Sequence, residues 1–196
     1  MKIASIVEGH GEVSALPVLL RRFLEWRPAE GFIEIERPNR VPRDRFINLQ
    51  DEFVRFLRLA RIQCGEDGWI LILLDADDDC PVELATALLA RAREIDNGRV
   101  SVVIAKREFE AWFIGAAASL DGHRGLNVMP ADLNAEAELP RDAKGWLGAR
   151  MKKGSYGAVT DQPAFASLMD LQQASDRCRS FRKLCTEWDV NLGRIA

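Results

Sequence analysis

At 196 residues and a formal net charge of −3, the chain is sized for one domain with a small appendage and has no global attraction for nucleic acid or anionic membranes. Its 47% hydrophobic and 29% charged residues are ordinary for a soluble globular protein, and no apolar stretch approaches the roughly 18 residues that span a bilayer. Four scattered cysteines without a C-x-x-C pair, beside two histidines, argue against zinc and fit a cytoplasmic setting, and the apolar start is too short for a signal peptide.

Residues 2–7 predict a first strand, ended by the turn Glu8-Gly9-His10-Gly11. A helix is expected over 12–26, with Val13, Leu16, Leu20, Phe23 and Leu24 on its apolar side. Residues 32–36 alternate apolar and acidic side chains as an edge strand does, and the loop 37–45 carries Arg37, Arg40, Arg43 and Arg45. A second helix is expected over 44–64. The run from Trp69 to Leu74 is apolar throughout, as a strand buried on both faces is, and it stops at Asp75, Asp77 and Asp79. Pro81 opens a third helix reaching residue 96, closed by Asn97-Gly98, and 100–105 is a β-branched fourth strand.

Strands alternating with helices predict an α/β fold, a doubly wound, Rossmann-like parallel sheet flanked by helices. The alternation stops after residue 105, where 106–113 starts a helix. A polar stretch over 121–157 and helices over 162–177 and 180–188 follow. The expected organisation is an α/β core over 1–115 and a small, mostly helical extension over 116–196 packed on it.

Three alternating acids at the end of a central strand repel one another, and a divalent cation relieves that. Mg²⁺ or Mn²⁺ suits them, being hard and content with one or two carboxylates plus waters. Asp75, Asp77 and Asp79 are therefore candidate metal ligands. The alternative is a solvated helix start, where acids favour the macrodipole. Open α/β sheets carry their ligand crevice at this edge, and with strand order 2-1-3-4 Glu8 faces Asp75 across it as a general base or further ligand. Gly9 and Gly11 would let backbone N–H groups approach an anion, although a tight turn with positive φ explains both glycines too. His10 is a candidate proton carrier or a solvated loop residue.

The fourth strand delivers Lys106, suited to a phosphate, with Glu108 and Glu110 as outer ligands or as part of a charged helix start. Arg37, Arg40 and Arg43 beside a metal site suggest phosphate contacts. Lys144, Lys152 and Lys153 form a second basic patch with Arg141 and Arg150, and Tyr156 between glycines offers a stacking face. Each reads equally as a solvated loop. Trp112 and Phe113 read as core.

The glutamate in a glycine turn (IVEGHGE, Ile6 to Glu12) and the later D-x-D (ILLDADDD, Ile72 to Asp79) together resemble the Toprim domain. That domain occurs in topoisomerases, primases, recombination-repair proteins and overcoming-lysogenization-defect nucleases. REFEAWF, from Arg107 to Phe113, is similar to an uncharacterised family of small standalone Toprim-like proteins of the DUF4276 type. So are the spacing from Tyr156 to Gln162 and SFRKL, from Ser180 to Leu184. The resemblance implies a Mg²⁺-dependent site for phosphodiester chemistry, with Glu8 as general acid/base and Asp75 and Asp77 as the metal pair. Asp79 and Glu108 extend the acidic set. Topoisomerases add a tyrosine from another domain and primases add nucleotide-binding modules, for which the expected organisation leaves no room. What remains is activated water, hence a nuclease. The chain has no P-loop, so any ATPase would be a separate partner.

The functional expectation is Mg²⁺-dependent cleavage of nucleic acid, DNA in the first place, with no membrane contact. Its main alternative is a Toprim-like module that binds nucleic acid or a partner without cleaving. A haloacid-dehalogenase-type phosphatase would want its D-x-D near the start of the domain. A receiver-like phosphoacceptor would need an acidic pair after strand one and a lysine after a fifth strand.

Overall fold

The computed structural model describes residues 1–193, so positions 194–196 of the expected extension lie outside the described residues. The apolar run becomes the central strand: β4 (Trp69–Asp75) is buried at every position. It pairs in parallel with β1 (Lys2–Val7), Ile3 opposite Trp69 and Ile6 opposite Ile72. On its other side it pairs in parallel with β5 (Arg99–Ala105), through to Asp75 opposite Ala105. The far edge is divided between β2 (Glu34–Ile35) and β3 (Asn39–Arg40), both parallel to β1. The order β2-β1-β4-β5 is consistent with a Rossmann-like doubly wound fold and brings the ends of β1 and β4 side by side at the switch point.

One face of the sheet is covered by α2 (Arg43–Asn48), α3 (Gln50–Cys64) and α4 (Pro81–Ile95), with Phe46, Phe53, Leu57 and Leu88 buried against Ile70 and Ile72. The other face carries α1 (His10–Trp26) together with the later helices. These are α5 (Ala111–Gly115), α6 (Ala117–Leu120), α7 (Ala143–Arg150), α8 (Ala158–Leu168), α9 (Leu171–Arg177) and α10 (Arg179–Leu192). A single apolar cluster joins them: Phe23 lies 5.6 Å from Phe181 and 5.2 Å from Trp188, ring to ring. Trp112 and Phe113 are fully buried in it, and the Trp112 indole N–H donates to Ser180 Oγ at 2.7 Å. No helix among the described residues is long and apolar enough to cross a membrane.

Four local readings differ from expectation. The edge strand is shorter than 32–36 and resumes as β3 inside the arginine loop. The helix expected over 44–64 breaks at Leu49, which is extended (φ −105°, ψ 112°) between α2 and α3. The helix expected over 162–177 is two, because the Asp170 side chain accepts the Gln173 N–H at 3.0 Å and starts α9 afresh. No helix begins at residue 106. Arg107 takes a positive φ of 66°, and α5 starts only at Ala111.

Candidate active site

The end of β1, the first turn of α1, the end of β4, the segment after β5 and the start of α7 converge at the switch point. Glu8 follows β1, and Glu12 stands one helical turn later. Its Oε2 accepts the N–H groups of Glu8 and Gly9, each at 3.2 Å, closing the helix start. Gly9 therefore spends its N–H on Glu12 rather than offering it to an anion. Neither glycine takes a positive φ; that of Gly9 is −88°. Gly11 is needed for packing, since a Cβ there would lie 2.5 Å from the Ala158 carbonyl oxygen of α8.

Asp75 ends β4 almost fully buried, with Oδ1 accepting the Phe109 N–H at 2.7 Å. That bond draws the chain after β5 down onto the site, which is why 106–110 is not helical. The Lys144 ammonium enters from α7. It lies 2.8 Å from Glu108 Oε1, 3.3 Å from Glu110 Oε2 and 3.8 Å from Asp75 Oδ2. The backbone N–H of Lys144 also donates to Glu108 Oε2 at 3.0 Å. Glu110 has no exposed surface and faces the Lys144 ammonium and the buried Tyr156 hydroxyl, and Glu8 Oε2 is buried without a hydrogen bond. Tyr156 stacks within the chain on Phe165, centroids 6.1 Å apart.

Carboxylates so placed hold their protons. Burial, then the charge of Asp77, raises the pKa of Glu8, and burial with Glu8 and Glu110 nearby pushes Glu12 up to about 7. Asp75 rises well above the ordinary aspartate value through burial and the charges of Glu12, Glu8 and Glu110. Glu110 rises through burial, with Lys144 opposing. Burial works against the charge of Lys144, but Glu110, Glu108 and Asp75 hold it protonated above its usual range.

The rest of the acidic stretch is arranged differently. Asp77, at a positive φ of 48°, and Asp78 and Asp79 are exposed. Arg43 donates to the Asp75 carbonyl at 3.0 Å and to Asp79 Oδ2, with Asp77 Oδ2 at 3.8 Å. From the other side Arg107 donates to the Asp77 carbonyl at 2.9 Å and to Asp78 Oδ1 at 2.7 Å, and Arg141 also bonds Asp78. Arg43, expected at a phosphate, is thus a clamp on the loop. Lys144, expected likewise, has its ammonium on carboxylates, and Glu108 is the nearest of them. Lys153 pairs with buried Asp161 at 2.6 Å. Arg37, Arg40, Lys106 and Lys152 are exposed, without ion-pair partners among the described residues, and His10 is exposed in one groove with Arg37 and Arg40.

No group of three or more His, Cys, Asp or Glu side chains among the described residues converges as a ready metal cage. The donor chemistry still suits a hard divalent cation, because Glu8 leaves a buried oxygen without a donor near Asp75. Mg²⁺ retains several waters and needs only one or two protein carboxylates. Glu8 and Asp75, with exposed Asp77 nearby, would hold such an ion.

Residues 7–188 match the family described as Domain of unknown function (DUF4276). The chain belongs to that family. The match takes in every DUF4276 element that builds the site, from the end of β1 to α7 and on into α10. No curated protein and no solved structure matches the chain.

The sequence reading passes over Glu12 and treats Glu110 as peripheral. Glu12 had a signal: an acid at the third position of a helix reaches back to the helix-start N–H groups, as in a capping box. Glu110 had one too, an acid between Phe109 and Ala111-Trp112-Phe113, a run that a helix or turn buries all round. Lys144 as counter-ion carried no local signal.

Proposed function

We propose that the chain is a Mg²⁺-dependent nucleic-acid phosphodiesterase of the Toprim nuclease kind, with Glu8 as general acid/base and Asp75 and Asp77 toward the cation. The observation that supports this reading best is the under-compensated cluster of Glu8, Glu12, Asp75 and Glu110 at the switch point, with a buried Glu8 oxygen that has no donor. A bound divalent cation would supply an activated water and charge neutralisation at the phosphate. Glu8, its pKa raised by burial, holds its proton to higher pH than an ordinary glutamate, which is the direction a general acid/base needs. Lys144 keeps Asp75, Glu108 and Glu110 together, and Phe109 N–H orients the Asp75 carboxylate. Lys106 and the unpaired arginines at the sheet edge are the groups left free for phosphate.

A second reading, a module that binds nucleic acid or a partner without cleaving it, draws on the ammonium of Lys144, which already neutralises part of the cluster. Nicking of supercoiled DNA in Mg²⁺ or Mn²⁺, with single-stranded RNA in parallel, separates the two. Glu8→Gln keeps the shape but cannot accept a proton, so cleavage should fall on the order of 10²–10⁴-fold with nucleic-acid binding retained. A wild type inert on every substrate would favour the second reading.

A further inference from the structure

An open groove of about 560 Å³ lies at the β2–β3 edge of the sheet, between the start of α1 and α3. His10 lines it, just past Glu8, and Arg40 pairs with Val7 at the end of β1, so the groove starts at the acidic site. Arg37 and Arg40 stand on its rim, exposed and without ion-pair partners among the described residues. Its apolar wall is Val13 and Phe56, and Arg55 stands 4.6 Å from the Phe56 ring centroid. Asn39 Nδ2 donates to Gln63 Oε1 at 2.6 Å, which leaves Asn39 Oδ1 to accept and the Gln63 Nε2 amide to donate.

We propose that this groove takes one unpaired nucleotide of a single strand, its base against the Phe56 wall and its flanking phosphates on Arg37 and Arg40. The inference rests on the nucleic-acid reading above and narrows its substrate to strands with an unpaired segment. An aromatic wall with an amide donor and acceptor matches a flat base and its edge, and two unpaired guanidiniums match phosphates. A paired base has that edge occupied and both faces stacked, so a duplex presents nothing that enters a concave groove. An acidic peptide would use the arginines and leave the flat wall idle.

The test is fluorescence anisotropy of the full chain with a labelled thymidine oligonucleotide, its duplex with oligodeoxyadenylate, free thymidine monophosphate and a polyglutamate peptide, all in chelator. The single strand should bind more tightly than the duplex, and Arg37→Ala with Arg40→Ala should flatten its log–log salt slope by about 1.4. Phe56→Leu should weaken the single strand roughly tenfold and leave the duplex unchanged. Since Phe56 is partly buried and Arg37 and Arg40 are exposed, the arginine pair carries the test if Phe56→Leu unfolds. The proposal is overturned by variants that bind like the wild type, or by free nucleotide or peptide displacing the strand at equal concentration. Binding as expected without cleavage in Mg²⁺ would sink the nuclease reading alone; cleavage by unchanged groove variants would sink the groove alone.

Discussion

Two sets of acids meet at the carboxyl edge of the sheet, and they are compensated in opposite ways. Asp77, Asp78 and Asp79 lie in water with Arg43, Arg107 and Arg141 around them, and Arg141 together with Arg107 holds Asp78 below the usual aspartate range. Glu8, Glu12, Asp75 and Glu110 are mostly out of water, and among the described residues Lys144 is the one ammonium that reaches into them. A single exposed ion pair contributes little, whereas buried like charges that share a counter-ion set a large local cost. The exposed acids are thus the neutralised ones, and the raised proton affinity lies in the buried set.

The sharpest way to break this contrast is to remove the shared counter-ion. Lys144→Met leaves Glu108, Glu110 and Asp75 facing one another. The side chain of Lys144 is 41% exposed, so the loss is smaller than for a fully buried pair, about 2 kcal/mol, or roughly 4–8 °C in Tm. Mg²⁺ should restore part of it. Thermal melts with and without Mg²⁺ check this. A variant as stable as the wild type at pH 8 in chelator would mean that the cluster is already neutral without Lys144.

A smaller effect separates the two sets by pH. Glu12 titrates at 4.5 ordinarily and at about 7 in the fold, so the folded state holds the proton more tightly. Its stabilising contribution is complete below pH 4.5 and is lost as pH rises through about 7. Glu12→Gln keeps an oxygen for the N–H groups of Glu8 and Gly9 and removes the charge. Denaturant melts from pH 4 to 9 should show the wild type losing stability across that window and the variant losing on the order of 3 kcal/mol less. Parallel curves would take Glu12 out of the cluster.

The sheet was legible because β4 is apolar from Trp69 to Leu74 and Pro81 marks the following helix. The same local logic explains what was not. Leu49 breaks a helix whose apolar period runs on undisturbed, so no pattern announces the break. The turn at Arg107 is set by Asp75 reaching for the Phe109 N–H, a contact between segments 34 positions apart. Asp75, Asp77 and Asp79 were visible as candidates because they alternate at the end of one apolar run, but Asp75 is buried as the last residue of β4 while Asp77 and Asp79 lie on the exposed loop after it. Glu8 stood out by its glycines, although Gly9 gives its N–H to Glu12 and Gly11 makes room for α8. Lys144 meets Glu108 across 36 positions, and no reading of a basic segment distinguishes an ammonium bound to carboxylates from one free for phosphate.

The smallest expected effect lies in the exposed set, and it tests whether the two sets are separate at all. Asp79→Asn removes a charge-assisted bond from Arg43. That guanidinium keeps the Asp75 carbonyl at 3.0 Å and has Asp77 at 3.8 Å, and the Asp79 side chain is 58% exposed. The expected change in Tm is no more than about 2 °C, and it should vanish in high salt, because a screened surface pair has little left to lose. The increase in Tm on adding Mg²⁺ should survive the substitution, since the oxygens proposed for the ion belong to Glu8 and Asp75 with Asp77 beside them. If Asp79→Asn abolishes that increase while Asp75→Asn leaves it intact, the loop acids hold the cation, and the division between the two sets is wrong.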